Sequence, residues 1–245
     1  MNPMSETPQS LEDLLRAAAE STVPGERFGN QSARTLRVDL DGGVWLKPGV
    51  AIAYRGDIRF ERLATICAPS VVDAVLRETA PLIRATGRGR LYCGHHGAHS
   101  RVVRLAGESI VVAWTDLLAF EETLTFASHL VGGGVGIAAG GLTAVTLSGH
   151  GAFALLTHGQ PLAVRVTPGQ PVSTDPHATL AWSADLAPTL KIDVSWRSAF
   201  GHGGQEAVQM LFEGSGFVLV QPCEDPARFA LGAHPLRSLA SLIEP

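Results

Sequence analysis

Glycine punctuates this chain at a long, nearly regular period. Gly87-Arg-Gly-Arg-Leu91, Gly149-His-Gly-Ala-Phe153 and Gly214-Ser-Gly-Phe-Val218 are three G-x-G units, each followed within three residues by an apolar side chain. They stand about 60–65 positions apart, a spacing that signals a repeated supersecondary unit. A second element recurs at a similar period: Leu46-Lys-Pro-Gly-Val-Ala-Ile52, Leu105-Ala-Gly-Glu-Ser-Ile-Val111 and Val166-Thr-Pro-Gly-Gln-Pro-Val172. Each reads as an apolar strand end, a glycine turn and a new strand, because Pro-Gly and Ala-Gly stop one strand and permit the φ > 0 of a tight reversal. Each copy then holds roughly four or five strand-sized pieces. The chain is expected to build stacked, pseudo-symmetric β units with no boundary at which it could be cut cleanly.

Local patterning agrees. Leu36-Arg-Val-Asp-Leu40, Leu162-Ala-Val-Arg-Val166 and Ile192-Asp-Val-Ser-Trp196 alternate apolar and polar with period two, as half-buried strands do. Only 17% of the residues are charged and 27 of the 245 are glycine. Coiled coils, helical repeats and disordered chains need more charge and less glycine. A length of 245 residues fits one large all-β domain or two smaller ones. Helical crossovers are missing from most gaps, which favours a sandwich or barrel over βαβ units.

Two helices are readable. Ser10 precedes Leu11-Glu-Asp-Leu-Leu15 and can cap it, with Asp13 at the third helical position and Leu11, Leu14, Leu15 and Ala18 on one face. This helix ends before Pro24-Gly25. The second runs from Ser70 to Pro81 with Val71, Val72, Val75 and Leu76 as its apolar stripe. The chain therefore divides into an N-terminal helical arm (1–30), a β domain (31–224) and a C-terminal tail (225–245).

Net charge is −4, with 17 Arg, only two Lys (Lys47 and Lys191) and no basic block. Phosphate backbones require clustered basic residues, so no nucleic-acid partner is expected. Cys67, Cys93 and Cys223 are odd in number and widely spaced, which fits a reducing compartment. Met1–Leu15 carries Glu6, Glu12 and Asp13 and does not read as a secretory signal; a cytoplasmic location is expected. Thr123–Val164 contains no Asp, Glu, Lys or Arg, and Leu130–Gly149 passes a crude membrane-span filter. Seven of those twenty residues are glycine, each of which destabilises a helix by about 1 kcal/mol relative to Ala. Glycine-rich strands and turns are the better reading.

Four stretches taken in order carry a family resemblance. They are Gly87-Arg-Gly-Arg-Leu-Tyr-Cys-Gly94, Leu105-Ala-Gly-Glu108 with Asp116-Leu-Leu-Ala-Phe120, Gly149-His-Gly151, and Gln209-Met-Leu-Phe-Glu-Gly-Ser-Gly-Phe-Val-Leu-Val-Gln-Pro222. Together they resemble the altered-inheritance-of-mitochondria protein 24 family over residues 32 to 222. The resemblance implies a double-stranded β-helix, or jelly-roll, with internal duplication, related in shape to the tryptophan-RNA-binding attenuator. It supplies no catalytic residues to carry over, because the family has none established. Eukaryotic members are mitochondrial and linked to inner-membrane organisation. This chain shows no presequence rich in Arg and Ser, and its acidic charge argues against RNA.

Several constellations could carry chemistry. Cys93-Gly-His-His-Gly-Ala-His99 places a thiol and the imidazoles of His95, His96 and His99 within seven residues, a donor set suited to a transition metal such as Zn, Fe, Cu or Ni. The jelly-roll is also the scaffold of cupin enzymes, but no HxH is followed closely by a Glu. The alternatives are an exposed hairpin tip and a pH-sensitive interface. Asp175-Pro-His177, with Asp193 and His202 downstream, could orient a general base or simply start a turn. Ser148-Gly-His150 lacks a nucleophile elbow. Gly132-Gly-Gly-Val-Gly136 and Gly140-Gly141 match no phosphate-binding fingerprint. Trp182, Trp196, Arg197 and Phe200, near Gly201-His-Gly-Gly204, read either as an interface patch or as core packing. The preferred expectation is a β scaffold or interaction protein, with no catalytic residue and no cofactor, self-associating or binding protein partners. A cupin-like metal-dependent enzyme using Cys93–His99 is the first alternative, and a peripheral membrane organiser the second.

Overall fold

The computed structural model describes residues 10–20, 26–62, 81–132, 142–192 and 208–222. The helix expected over 70–81 falls on residues 63–80, outside that range, as do the C-terminal tail and most of the 132–141 glycine loop. The described residues contain one α-helix, α1 (Leu11–Ala17), and fourteen strands. These are β1 (Phe28–Ser32), β2 (Thr35–Leu46), β3 (Ala51–Arg62), β4 (Ile83–Cys93), β5 (His99–Ala113), β6 (Leu117–Glu121) and β7 (Leu124–Leu130). They continue as β8 (Thr143–Thr157), β9 (Leu162–Val166), β10 (Val172–Thr174), β11 (Thr179–Ser183), β12 (Thr189–Ile192), β13 (Val208–Phe212) and β14 (Gly216–Val220). The charge-free stretch contributes β7, β8 and most of β9, which are strands as its glycines require. Among the described residues no helix is long and apolar enough to cross a membrane.

The strands form one large antiparallel sheet in the order β3-β4-β2-β6-β8-β5-β11-β14-β9, with β1 added on β2 and β7 on β8, and a small sheet β10-β13-β12. The path of the large sheet ends at β3 and at β9, and β1 and β7 each pair with one strand. Helix α1 starts as its sequence dictates: the Ser10 hydroxyl accepts a hydrogen bond from the Asp13 amide at 3.1 Å. Among the described residues nothing covers the apolar stripe of α1, for Leu11, Leu14 and Leu15 are all exposed.

The glycine pattern becomes a line of bends. Each of the five longest strands carries one glycine at positive φ near its middle: Gly42 in β2, Gly56 in β3, Gly87 in β4, Gly107 in β5 and Gly149 in β8. In the sheet Gly42 opposes Gly87, and Gly89 opposes Gly56. A Cβ on Gly87 would stand 2.0 Å from the Asp57 carbonyl oxygen, so neighbouring backbones approach there as only glycine allows. The bend in β3 is sharp. Tyr54 and Phe60 are six residues apart, about 20 Å along a straight strand, yet their ring centroids lie 5.3 Å apart.

The second recurring element holds at two of its three copies. Pro48-Gly49 and Pro168-Gly169 are turns, between β2 and β3 and between β9 and β10. The third, Leu105–Val111, stays inside the continuous strand β5. There Gly107 produces a bulge, the Glu108 carboxylate accepts the Ala106 amide, and pairing with β8 resumes at Ser109–Ser148. The chain bends instead of reversing because β8 also bends, at Gly149, and keeps the ladder intact.

Among the described residues three apolar clusters fill the interior. One lies beneath β1–β4 around Leu36, Val38 and Leu91; the central one holds Phe120, Phe153 and Leu147; the third holds Trp182, Met210 and Phe212. Two buried polar contacts are made locally. The Ala152 amide donates to Glu121 Oε2 at 2.7 Å, and the Thr179 hydroxyl bonds with Thr174 Oγ1 at 2.7 Å.

Candidate interaction surface

Strand β3 pairs with β4 and, among the described residues, with no other strand. Eleven of its twelve residues are exposed, the exception being Ile58. Alternation divides its side chains into two rows. Arg55, Asp57, Arg59 and Glu61 face one side. Tyr54, Ile58 and Phe60 face the other, toward the core cluster that Ile58 joins. Ile52 is 60% exposed, Tyr54 55% and Phe60 38%, so an apolar strip runs along an open edge.

The charged row continues inward as a cross-strand ladder. Asp57 opposes Arg88, which opposes Asp41; Arg55 opposes Arg90, which opposes Asp39. Arg88 reaches Asp41 at 3.3 Å, and Arg90 Nε donates to Asp39 Oδ1 at 2.6 Å. That bond raises the Arg90 guanidinium above its ordinary value. Arg37, almost wholly buried beneath β1, contacts the same Asp39 through Nε at 3.2 Å. The arm is tied to this surface, since Glu20 lies 3.0 Å from Arg55 and 3.7 Å from Arg90. Farther along, Arg84 bonds Glu122 in the turn between β6 and β7.

The other sequence candidates divide differently. Cys93 closes β4 with its thiol in the core, and burial pushes that thiol up to about 12. His95 and His96 lie in the following turn with ring centroids 4.2 Å apart, and His96 adopts φ 44°. His99 opens β5 opposite Thr157. The four do not converge, and among the described residues no group of three or more His, Cys, Asp or Glu could hold a metal ion. Asp175 accepts the His177 amide at 2.7 Å, the hydrogen bond of an Asx turn. Ser148 bonds Ser109 at 2.7 Å across the β5–β8 bulge, beside which the His150 ring packs over Gly107. Trp182 is buried against Phe212, with ring centroids 5.7 Å apart, and is a core residue. Asp193, Trp196, Arg197, Phe200 and His202 lie outside the described residues. Sequence reasoning missed the β3 edge. Its signal was the alternation of sign in Arg55, Asp57, Arg59 and Glu61, masked by the apolar residues between them.

An antiparallel sheet folded over at a line of glycines makes this an all-β protein. A family model described as Mitochondrial biogenesis AIM24 matches residues 26–223, and the chain belongs to that family. The fold is also similar to that of protein SPYM3_0169 from Streptococcus pyogenes, solved by X-ray crystallography. The two share 16% sequence identity and a TM-score of 0.62, over 88% of this chain and 96% of the other. No curated protein matches the sequence.

Proposed function

We propose that this chain is a β scaffold that acts by binding other protein chains, copies of itself included, and that its bent strands wrap as a duplicated jelly-roll-like double-stranded β-helix. The observation that carries the reading is the open β3 edge. Among the described residues its twelve residues pair with β4 alone, which leaves backbone donors and acceptors on the other side without a strand partner. Edges of this length are ordinarily covered or kept short, because they recruit other strands. Here the edge also displays Ile52, Tyr54 and Phe60, the kind of exposed apolar strip that marks an interaction site. The flanking charges confer solubility on the free surface and orient whatever docks on it.

Family membership is consistent with this reading and assigns no chemistry of its own. Native mass spectrometry of untagged full-length protein tests it by reporting stoichiometry and bound species together. Multimers, or a stably bound protein, are expected at micromolar concentration. A bare monomer throughout that range would defeat the proposal.

A further inference from the structure

We infer that β3 pairs edge to edge, antiparallel, with β3 of a second copy of this chain, about a two-fold axis at Ile58. This rests on the self-association reading above and names its surface. In that register each residue meets the partner residue whose number completes 116. Asp57 faces the partner's Arg59, Arg55 faces the partner's Glu61, and the symmetry repeats both contacts. Four opposite-charge pairs result from one strand of twelve residues. Opposite charges directly across an antiparallel pair stabilise it and like charges destabilise it.

The neighbouring registers fail on the same residues. A slide of two in one direction sets Asp57 against the partner's Asp57 and Arg55 against the partner's Arg59. A slide of two in the other sets Arg59 against the partner's Arg59 and Asp57 against the partner's Glu61. A slide of one exchanges the faces, placing the charged row over the apolar one. An isologous contact needs self-complementarity of this kind, and the alternating signs of β3 provide it.

Backbone shape sets the corner of the sheet beside that axis. The corner of the sheet crosses β3 between Gly56, opposite Gly89, and Ile58, opposite Gly87. A two-fold axis at Ile58, perpendicular to the sheet, exchanges the two arms of that corner and preserves its concavity. The bent sheet then continues from one copy into the next. On the inner face, Phe60 meets the partner's Gly56, where no side chain competes for space, and Tyr54 meets the partner's Arg62, a cation–π arrangement. The exposed rings of Tyr54 and Phe60 gain cover, and the unpaired backbone groups of both edges are satisfied.

Sedimentation velocity of the full-length chain over a micromolar concentration series tests the inference. Wild type is expected to form an even-numbered oligomer. Arg59→Glu replaces two attractive pairs with two repulsive ones and raises the association midpoint roughly tenfold. Position 59 opposes uncharged Thr86 within the chain, so far-UV circular dichroism and the melting temperature should hold. Arg59→Gln, which removes attraction without adding repulsion, should fall between. Adding Asp57→Arg to Arg59→Glu restores opposite charges at both pairs and should bring the midpoint back toward wild type. If wild type self-associates while Arg59→Glu leaves the midpoint unmoved, or the double variant shows no recovery, this edge is overturned and the scaffold reading survives. A wild type that stays monomeric removes both.

Discussion

Cys93 shows how a single residue turns from candidate ligand to core. The alternation Cys93, Gly94, His95 reads as two donors on one strand face. The strand ends at Cys93, however, and the Gly94 amide bonds the Val50 carbonyl at 2.9 Å as the chain leaves the ladder. The thiol therefore shares the inner face with Leu91 and Leu36 while His95 and His96 swing into the turn. Sequence spacing reveals which residues are near one another; it does not reveal the residue at which a strand stops. Burial away from water disfavours the thiolate and raises this thiol from 9.0 to about 12. The consequence for stability follows from that direction. Below pH 9 both folded and unfolded chains keep the thiol protonated, and the contribution is fully present. As pH rises from about 9 toward 12 only the unfolded chain ionises, so stability is lost across that window. In a Cys67→Ser/Cys223→Ser background, Cys93 should resist a thiol reagent at pH 8 and react only on denaturation. The pH-dependent loss of melting temperature above 9 should shrink when Cys93 is replaced by Ala. Rapid labelling of the folded protein would show the thiol to be accessible.

At the scale of strands, the sequence was most legible where period two and turn residues coincide. The alternation of Leu36–Leu40 lies in β2, that of Leu162–Val166 is β9, and Pro48-Gly49 and Pro168-Gly169 are turns. What could not be read was whether a glycine reverses a strand or bends it, since both uses need positive φ. Gly49 and Gly107 have φ of 77° and 114°. The difference comes from the partner strand, which no local window contains. Substitution by Ala separates the two uses. A Cβ at Gly49 meets nothing within 4 Å, so Gly49→Ala should cost only the left-handed backbone strain, about 1–2 kcal/mol. A Cβ at Gly89 would stand 2.1 Å from the Arg55 carbonyl oxygen and 3.1 Å from Gly56 Cα. That neighbour is backbone and cannot rotate away. Gly89→Ala should therefore push β3 from β4 and cost more than about 4 kcal/mol, in the range that signals a specific clash. Chemical denaturation of the two variants side by side measures both. Equal costs would mean that the bend tolerates a side chain and that β3 and β4 are less closely apposed than their register requires.

Most of the described strands share one large sheet, and this decides how the molecule should unfold. The composition pointed to all-β, and the repeat to the absence of a clean boundary. Neither could supply the strand order, in which β5 and β8 stand at the centre and pairs distant in sequence, such as β5 with β11, join the two ends. Long strands shared between clusters are the physical link. β8 pairs with β5, β6 and β7, and its side chains enter all three apolar clusters: Ala152 and Ala154 in the first, Phe153 and Leu147 in the second, Ala144 in the third. No cluster can melt without uncovering a strand that another one uses. Phe153 is fully buried at the middle of this arrangement, opposite Phe120 across the β6–β8 pair. Truncation to Ala removes most of a buried ring and leaves a cavity, which destabilises by about 3–5 kcal/mol. If the sheet is one cooperative unit, Phe153→Ala lowers the denaturation midpoint equally for tryptophan fluorescence and for far-UV circular dichroism, because Trp45, Trp114 and Trp182 sit in or against two of the clusters. If the clusters melt separately, the fluorescence and dichroism transitions part in the variant, and sheet continuity does not couple them.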